Sequence, residues 1–498
     1  MPFASFRGLP EPADPEPSPV STFTDYVDYD AVGLLELLRR GQVSAAEVLE
    51  AALDRIAAFE PEVNAIAVPM ADYARKAVAD GLPFGAASGV PFLVKDIDAG
   101  NVAGIPNTMS SRLLLDNAAA RSSESVERYL ASGMVILGRS AMPNFGVCAT
   151  TEPVLYGPTR NPWDLGRSAG GSTGGGAAAV AIGMVPVAQA TDAAGSLRLP
   201  ASHCGLFGLK PSRGRVSAGP DAGEHAGGMG AVHVVSRSVR DSALMLDVVA
   251  GAGIGDPYVA PPPLQPYAYE ILQGPGRLRI AYSVAPPAEG MSVDAECVRA
   301  VEEAAKLCES LGHTVEQAAP VFDFRAMVKD FVLIHSAAMS SRVERMLAAL
   351  GRAPRPDEIE PAALGWARLA QGRNAAALAD AYRLMHAITR TVARFMTGYD
   401  IFLTPTAAQP ALPIGALSML EPDFDTYLEV LFGHMAFTTL ANVTGMPAMS
   451  VPLHWTEAGL PVGPHFMASY GAEDILFRLA AQLEQAKPWA HRRPPLWT

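Results

Sequence analysis

Cysteine is scarce in this chain: four in 498 residues, at Cys148, Cys204, Cys297 and Cys308, with no C-x-x-C or Cys/His spacing. Such a distribution argues against a zinc module or a disulfide framework and points to a reducing compartment. Long apolar runs are missing as well. Nothing approaches the ~20 residues that span a bilayer, and the N-terminal residues lack the basic-then-apolar order of a secretion signal. A cytoplasmic protein with no membrane partner is expected. Basic charge is also in short supply, since 38 Lys and Arg stand against 51 Asp and Glu, for a formal net charge of −13. A surface that binds nucleic acid needs clustered Lys and Arg, and the one dense cluster, Arg492-Arg493 beside His491, reads as a solvated end. No G-K-[ST] follows the glycine-rich segment, so it is not a P-loop, and no cofactor or metal is expected. The absence of an internal repeat disfavours solenoids and propellers.

What is present is a composition able to build a large core, 49% hydrophobic and only 18% charged. Residues 1–22 hold six prolines and form an arm without regular structure. Residues 23–498 are expected to form a single domain. Asp30 caps a first helix, and Ser44-Ala45-Ala46-Glu47 is a capping box opening a second that runs toward Pro61. From Gly89 onward, helix and strand signals alternate. Val90 to Val94 reads as a strand ending at Lys95-Asp96, Ser123 to Ser132 as a helix and Met134 to Gly138 as a strand. Gly175 to Ile182 is an Ala-rich helix, followed by a strand at Val185 to Ala188. This order predicts an α/β sandwich around a mostly parallel sheet. Six glycines between Gly214 and Gly230 predict an irregular loop that could act as a lid. Residues 324–440 read as a helical insertion, and the core segment spans about 85–255.

Two serines stand among residues too small to shield them. One is Ser172 in Gly166-Arg167-Ser168-Ala169-Gly170-Gly171-Ser172-Thr173-Gly174, the other Ser196 in Thr191-Asp192-Ala193-Ala194-Gly195-Ser196. A serine hydroxyl needs a base within hydrogen-bond reach to act as a nucleophile. Of ten histidines only His203 lies close in sequence to Ser196, and its surroundings suggest packing. Lys95 is the better candidate. It ends an apolar strand, where α/β folds place functional groups, and burial there lowers an ammonium's pKa until the neutral amine can take a proton. In an extended segment Asp96 and Asp98 point away from it. Gly170-Gly171-Ser172-Thr173-Gly174 also fits G-x-S-x-G, which would make Ser172 the nucleophile of an α/β-hydrolase-like esterase. That motif wants a strand just before it, whereas Asn161 to Gly166 is turn-like, and no Asp and His pair follows.

The glycine- and serine-rich segment from Gly166 to Pro211, ending Cys204-Gly205-Leu206-Phe207-Gly208-Leu209-Lys210-Pro211, resembles that of the amidase signature hydrolases. Gly89-Val90-Pro91 leading to Lys95-Asp96, Gly445-Met446-Pro447-Ala448 and Gly459 to Gly463 extend the resemblance over nearly the whole chain. It implies a large mixed β-sheet covered by helices on both faces. It also implies a C–N hydrolase in which Ser196 is the nucleophile, Ser172, after a cis peptide, relays its proton, and Lys95 is the base. The implied oxyanion hole is the backbone N–H set of Ala193, Ala194, Gly195 and Ser196. Thr151-Glu152-Pro153 and Arg160-Asn161-Pro162-Trp163 are most similar to a branch acting on nylon-type cyclic amides. The chain departs from the family pattern at Asn144, where Glu is usual, and at Thr173, where Ser is common. Expected pocket walls are His335, Met339, Phe432, Met435 and Phe437, with His335 at a position where that branch carries a pocket cysteine. The partner is then a small-molecule amide or carbamate, the chain acts as a monomer or homodimer, and ester or urethane cleavage is a side activity. A rival within the family is the A-type subunit of a tRNA-dependent amidotransferase, which would need protein partners.

Overall fold

A computed structural model describes residues 23–497 of the chain. The Pro-rich arm expected over residues 1–22 lies outside the described residues. Eleven strands form one sheet: β1 (Ile66–Pro69), β2 (Pro91–Lys95), β3 (Val135–Ser140), β4 (Val187–Asp192), β5 (Phe207–Lys210), β6 (Ala231–Ser236), β7 (Arg279–Tyr282), β8 (Thr314–Gln317), β9 (Ile401–Pro405), β10 (Ala448–Ser450) and β11 (Pro464–Ala468). Their spatial order is β1-β3-β2-β4-β6-β5-β10-β11-β9-β7-β8.

Successive residues of a strand face opposite sides of the sheet, and the apolar layers record this directly. Phe92 and Val94 join one layer with the helices Glu124–Ala131, Val239–Val249 and Glu473–Ala486. Leu93 joins the opposite layer with the helices Ala45–Val63, Gly174–Ala181 and Arg198–Cys204. By the same alternation Lys95 leaves the strand on the Leu93 side, toward the helix at Gly174–Ala181. That helix packs very closely: a Cβ at Gly175 would sit 2.3 Å from the Ala65 carbonyl oxygen. The capping box at Ser44 forms as expected, and its helix runs two residues past Pro61 to Val63.

The sheet is mixed, as the family resemblance implied, and less parallel than the alternation of elements suggested. Parallel pairing is confined to β3-β2-β4 and β9-β7-β8, and the other neighbours run antiparallel. Short returns without a crossover helix, such as residues 451–463 between β10 and β11, explain the difference. The turn-like reading of residues 161–166 also gives way, because Arg160–Asn161 and Asp164–Ser168 pair as a small hairpin outside the main sheet. A second apolar body lies over one end of the sheet. It is built from the helices Phe324–Leu350, Pro361–Leu369, Ala375–Met396 and Phe424–His434, capped by Asp323, Asn374 and Asp423.

A buried ion pair fixes the end of β2 against β3. Arg139 Nε donates to Asp96 Oδ1 at 2.8 Å and Arg139 Nη1 to the Gly100 carbonyl at 2.9 Å, and neither the arginine nor the aspartate is exposed. Asp96 is thereby spent on structure, on the opposite side from Lys95. Arg139→Met would leave that carboxylate buried without its partner, so we expect a loss of about 3–5 kcal/mol in stability. Chemical denaturation measures it, and a loss below about 1 kcal/mol would show the pair is dispensable.

Candidate active site

Lys95 is completely buried, and its ammonium nitrogen meets three hydroxyls: Ser172 Oγ at 2.6 Å, Thr191 Oγ1 at 2.9 Å and Thr173 Oγ1 at 3.0 Å. Ser172 and Thr173 arrive from the turn before the Gly174–Ala181 helix, Thr191 from the end of β4. Burial pushes the lysine down to about 7, with the Asp192 carboxylate pulling partly the other way. Half of a group with that pKa is neutral at pH 7, which an exposed lysine never approaches. Thr173, a departure from the family pattern, keeps the hydroxyl that the lysine uses. Lys210 is a second buried lysine also pushed down to about 7 by burial, but its amine donates to the Pro211 carbonyl at 2.7 Å.

The approach of the Ser172 turn depends on glycine. A Cβ at Gly171 would lie 2.4 Å from the Thr150 carbonyl oxygen and 2.6 Å from that of Cys148. The Gly171–Ser172 peptide is cis. Thr173 N–H donates to the Ser196 carbonyl at 3.2 Å, which ties the two serine segments together.

Ser196 sits on a loop folded around one carboxylate. Asp192 accepts from the N–H groups of Gly195 at 2.7 Å and Leu197 at 3.2 Å, and from Arg198 Nε and Nη2, each at 2.9 Å. Asn442 adds a further bond at 2.9 Å. Burial alone would raise this carboxyl, but the Arg198 charge and hydrogen bonds hold it well below the usual range. Gly195 has φ of +137°, and a Cβ there would lie 2.3 Å from Thr438 Oγ1. The four backbone N–H groups expected to form an oxyanion hole are not equally available. Gly195's N–H is taken by Asp192, while those of Ala193, Ala194 and Ser196 have no hydrogen-bond partner among the described residues.

Two chambers meet at Ser196. One, of about 90 Å³, is lined by Ser172, Thr191, Ala193, Phe145, Val147, His335 and Met339. The other, of about 40 Å³, is lined by Ala194, Leu199, Phe331, His335, Trp366, Phe432 and Met435. Four of the five expected wall residues are thus brought to the chambers beside Ser196. Phe437 is not among these linings. It follows the helix Phe424–His434 and turns into the apolar body behind the pocket. His335 stacks on Phe331 at 5.8 Å between ring centroids and meets Trp366 edge-on at 4.9 Å. Burial, reinforced by the Arg342 charge, pushes it down to about 4, so it faces the pocket neutral. His203 lies buried with its ring 5.1 Å from that of His434 and does not line either chamber. Asn144 also stays structural, donating to the Ser110 carbonyl at 2.8 Å. The Gly214–Gly230 loop does reach the site, since His225, Ala226 and Gly230 line the larger chamber.

Sequence reasoning assigned no role to Thr191, Asp192 or Arg198. An Asp three residues before a Gly at the start of a helix is a detectable signal for a side chain that caps backbone N–H groups. Asn442 and Thr438 had no such signal, because they reach the loop from more than 240 positions away.

Residues 47–477 match the amidase family. A 6-aminohexanoate-cyclic-dimer hydrolase of Paenarthrobacter ureafaciens is 38% identical over 480 residues, covering 94% of this chain and 96% of the relative. The solved structure of a 6-aminohexanoate cyclic dimer hydrolase complexed with substrate superposes with a TM-score of 0.88 at 37% identity, covering 95% of this chain and 100% of that one. A bacterial aryl acylamidase, described as belonging to the amidase signature enzymes, follows at a TM-score of 0.84 and 27% identity, covering 93% and 97%.

Because Gly195 holds a positive φ against Thr438, Gly195→Ala is expected to distort the loop that carries Ser196. Amide turnover should fall by at least about 100-fold, the scale of losing one oxyanion donor. A variant with near-normal kcat, measured on a chromogenic anilide, would show that the loop tolerates the methyl group.

Proposed function

This chain belongs to the amidase signature family and is a hydrolase of carbon–nitrogen bonds, and from that premise we propose that it works through Ser196, Ser172 and Lys95 on small apolar amides. The observation carrying this reading is the 2.6 Å contact between the buried Lys95 amine and Ser172, beside a cavity that Ser172 shares with Ser196. Neutral Lys95 accepts a proton from Ser172, which in turn accepts the proton of Ser196 as its Oγ attacks the carbonyl carbon. The oxyanion is met by the free N–H groups of the 193–196 loop. Lys95 then returns the proton through Ser172 to the leaving amine, and a water deprotonated along the same relay releases the acid from Ser196. No histidine takes part.

Both sides of the scissile bond would lie in mainly apolar chambers, one against Phe145, Val147 and Met339, the other against Phe331, Trp366 and Phe432. These linings suit aliphatic or aryl flanks, and neutral His335 offers a polar contact where the chambers meet. Linear and cyclic amides of the nylon-oligomer type fit this description, as do aryl carbamates, whose carbonyl is attacked in the same way. The similarity to a cyclic-dimer hydrolase over almost the entire chain supports the cyclic amide first. The isolated chain is expected to turn over a simple anilide without partner subunits, which a subunit dependent on an amidotransferase complex would not do.

Ser196→Ala should abolish covalent labelling by a fluorophosphonate, as read by intact-mass spectrometry; labelling that persists at another residue would displace Ser196 as nucleophile. The acid limb of kcat/KM is expected to have its inflection near pH 7, because activity requires the deprotonated lysine and is lost as pH falls through its pKa. A profile that stays flat from pH 5 to 9 would remove Lys95 from the role of base.

A further inference from the structure

Outside the larger chamber lies a cleft of about 610 Å³, and the two share Asp98, His225, Ala226, Ala338 and Arg342 in their walls. Asp98 begins the turn Asp98–Gly100 just beyond β2, while Arg342 projects from the helix Phe324–Leu350. Their side chains meet at this boundary, Arg342 Nη2 lying 3.1 Å from Asp98 Oδ2. The pair is anchored on both sides. Asn107 Nδ2 donates to Asp98 Oδ1 at 2.9 Å, and Arg342 Nη1 lies 3.9 Å from the Met109 sulfur. Both residues keep some solvent contact, 38% of the Asp98 side chain and 24% of that of Arg342. Among the described residues, the only other carboxylate or guanidinium residue lining the inner chamber is Asp192, whose carboxylate is buried and saturated by Arg198, Asn442 and backbone N–H groups.

Asp221, Glu224 and Arg345 also line the outer cleft, but at its boundary with the inner chamber a substrate moving to Ser196 passes, among the described residues, one positive and one negative group that cancel. We propose that the Asp98–Arg342 pair is a neutral collar at the mouth of the catalytic cavity, selecting uncharged amides over amides that carry a carboxylate or a quaternary ammonium. This rests on the amide-hydrolase reading above. An ionic end loses hydration on entering the collar, and attraction to one partner is offset by repulsion from the other. An uncharged chain meets no such penalty. Breaking the pair exposes a net charge, so each single variant acquires a preference of its own sign. Asp98→Asn leaves Arg342 to attract carboxylates, and Arg342→Gln leaves Asp98 to attract ammonium groups.

The test compares amides of equal length whose free end is methyl, carboxylate or trimethylammonium, placed on the acyl half in one series and on the amine half in another. Relative to the methyl compound, kcat/KM for the carboxylate should rise about tenfold in Asp98→Asn, and for the ammonium about tenfold in Arg342→Gln, the scale of one partly exposed charge contact. Both gains should shrink in high salt. Arg342→Lys, which keeps the charge, should preserve the wild-type order. Ratios unchanged within twofold, or moving in the same direction in both variants, would overturn the collar. Calorimetric binding of the same amides to Ser196→Ala versions of each protein reads the selectivity without turnover. Absence of Ser196-dependent hydrolysis would thus count against the reaction, whereas sign-independent binding ratios would count against the collar.

Discussion

The buried pair of Asp192 and Arg198 is the contact on which the loop carrying Ser196 depends. One carboxylate gathers the N–H groups of Gly195 and Leu197. The arginine opposite it reaches the Thr438 carbonyl, Asn442 Oδ1 and His465 Nε2. A loop made of alanine, glycine and serine has almost no side-chain surface with which to hold its own shape, so its geometry has to be imposed from outside. The imposing groups come from β4, from the helix that follows Ser196, and from the far C-terminal part of the chain. Removing two charges from water is costly, and it is tolerable here because nearly every polar atom of the pair finds a partner.

The same network influences Lys95. Lys95 owes its lowered pKa to dehydration, and the Asp192 carboxylate opposes that shift electrostatically. Since Arg198 neutralises Asp192 at close range, much of the carboxylate's field is absorbed before it reaches the lysine. The three hydroxyls around Lys95 satisfy its amine without adding a charge that would pin it in the protonated form. Structure and reactivity are thus adjusted by one set of contacts: the acid that shapes the loop is kept from disabling the amine beside it.

How much of this could be read from the chain depends on the range of the interactions. The β2 strand, its terminal lysine and the two small-residue segments are local patterns, and periodicity with composition is enough to expose them. The Ala-rich helix and the capping box at Ser44 belong to the same class. The balance of parallel and antiparallel pairing does not, because it is decided by which strands meet after long returns. Phe437 illustrates the limit on the pocket side: it shares its composition and spacing with Phe432 and Met435, and only the turn after His434 decides that it faces inward. Thr438 and Asn442 are ordinary residues, one immediately before and one within the short buried helix Thr439–Thr444, and their role appears only once that helix is laid against the 192–198 loop.

The alternation along β2 carries a consequence for how this chain can change. Val94, Lys95 and Asp96 alternate between a greasy layer, the Ser172 hydroxyl and an ion pair. A one-residue insertion or deletion between Gly89 and Lys95 would exchange those destinations, sending the amine toward Arg139 and a carboxylate or a valine toward Ser172. Few stretches of the protein are so intolerant of length. The helical body over residues 324–396 and the loops around it can lengthen, shorten or re-aim their side chains while leaving this short frame untouched. Lineages descended from such a scaffold would be expected to diversify in substrate through the helical body, holding the spacing of five residues in one strand constant.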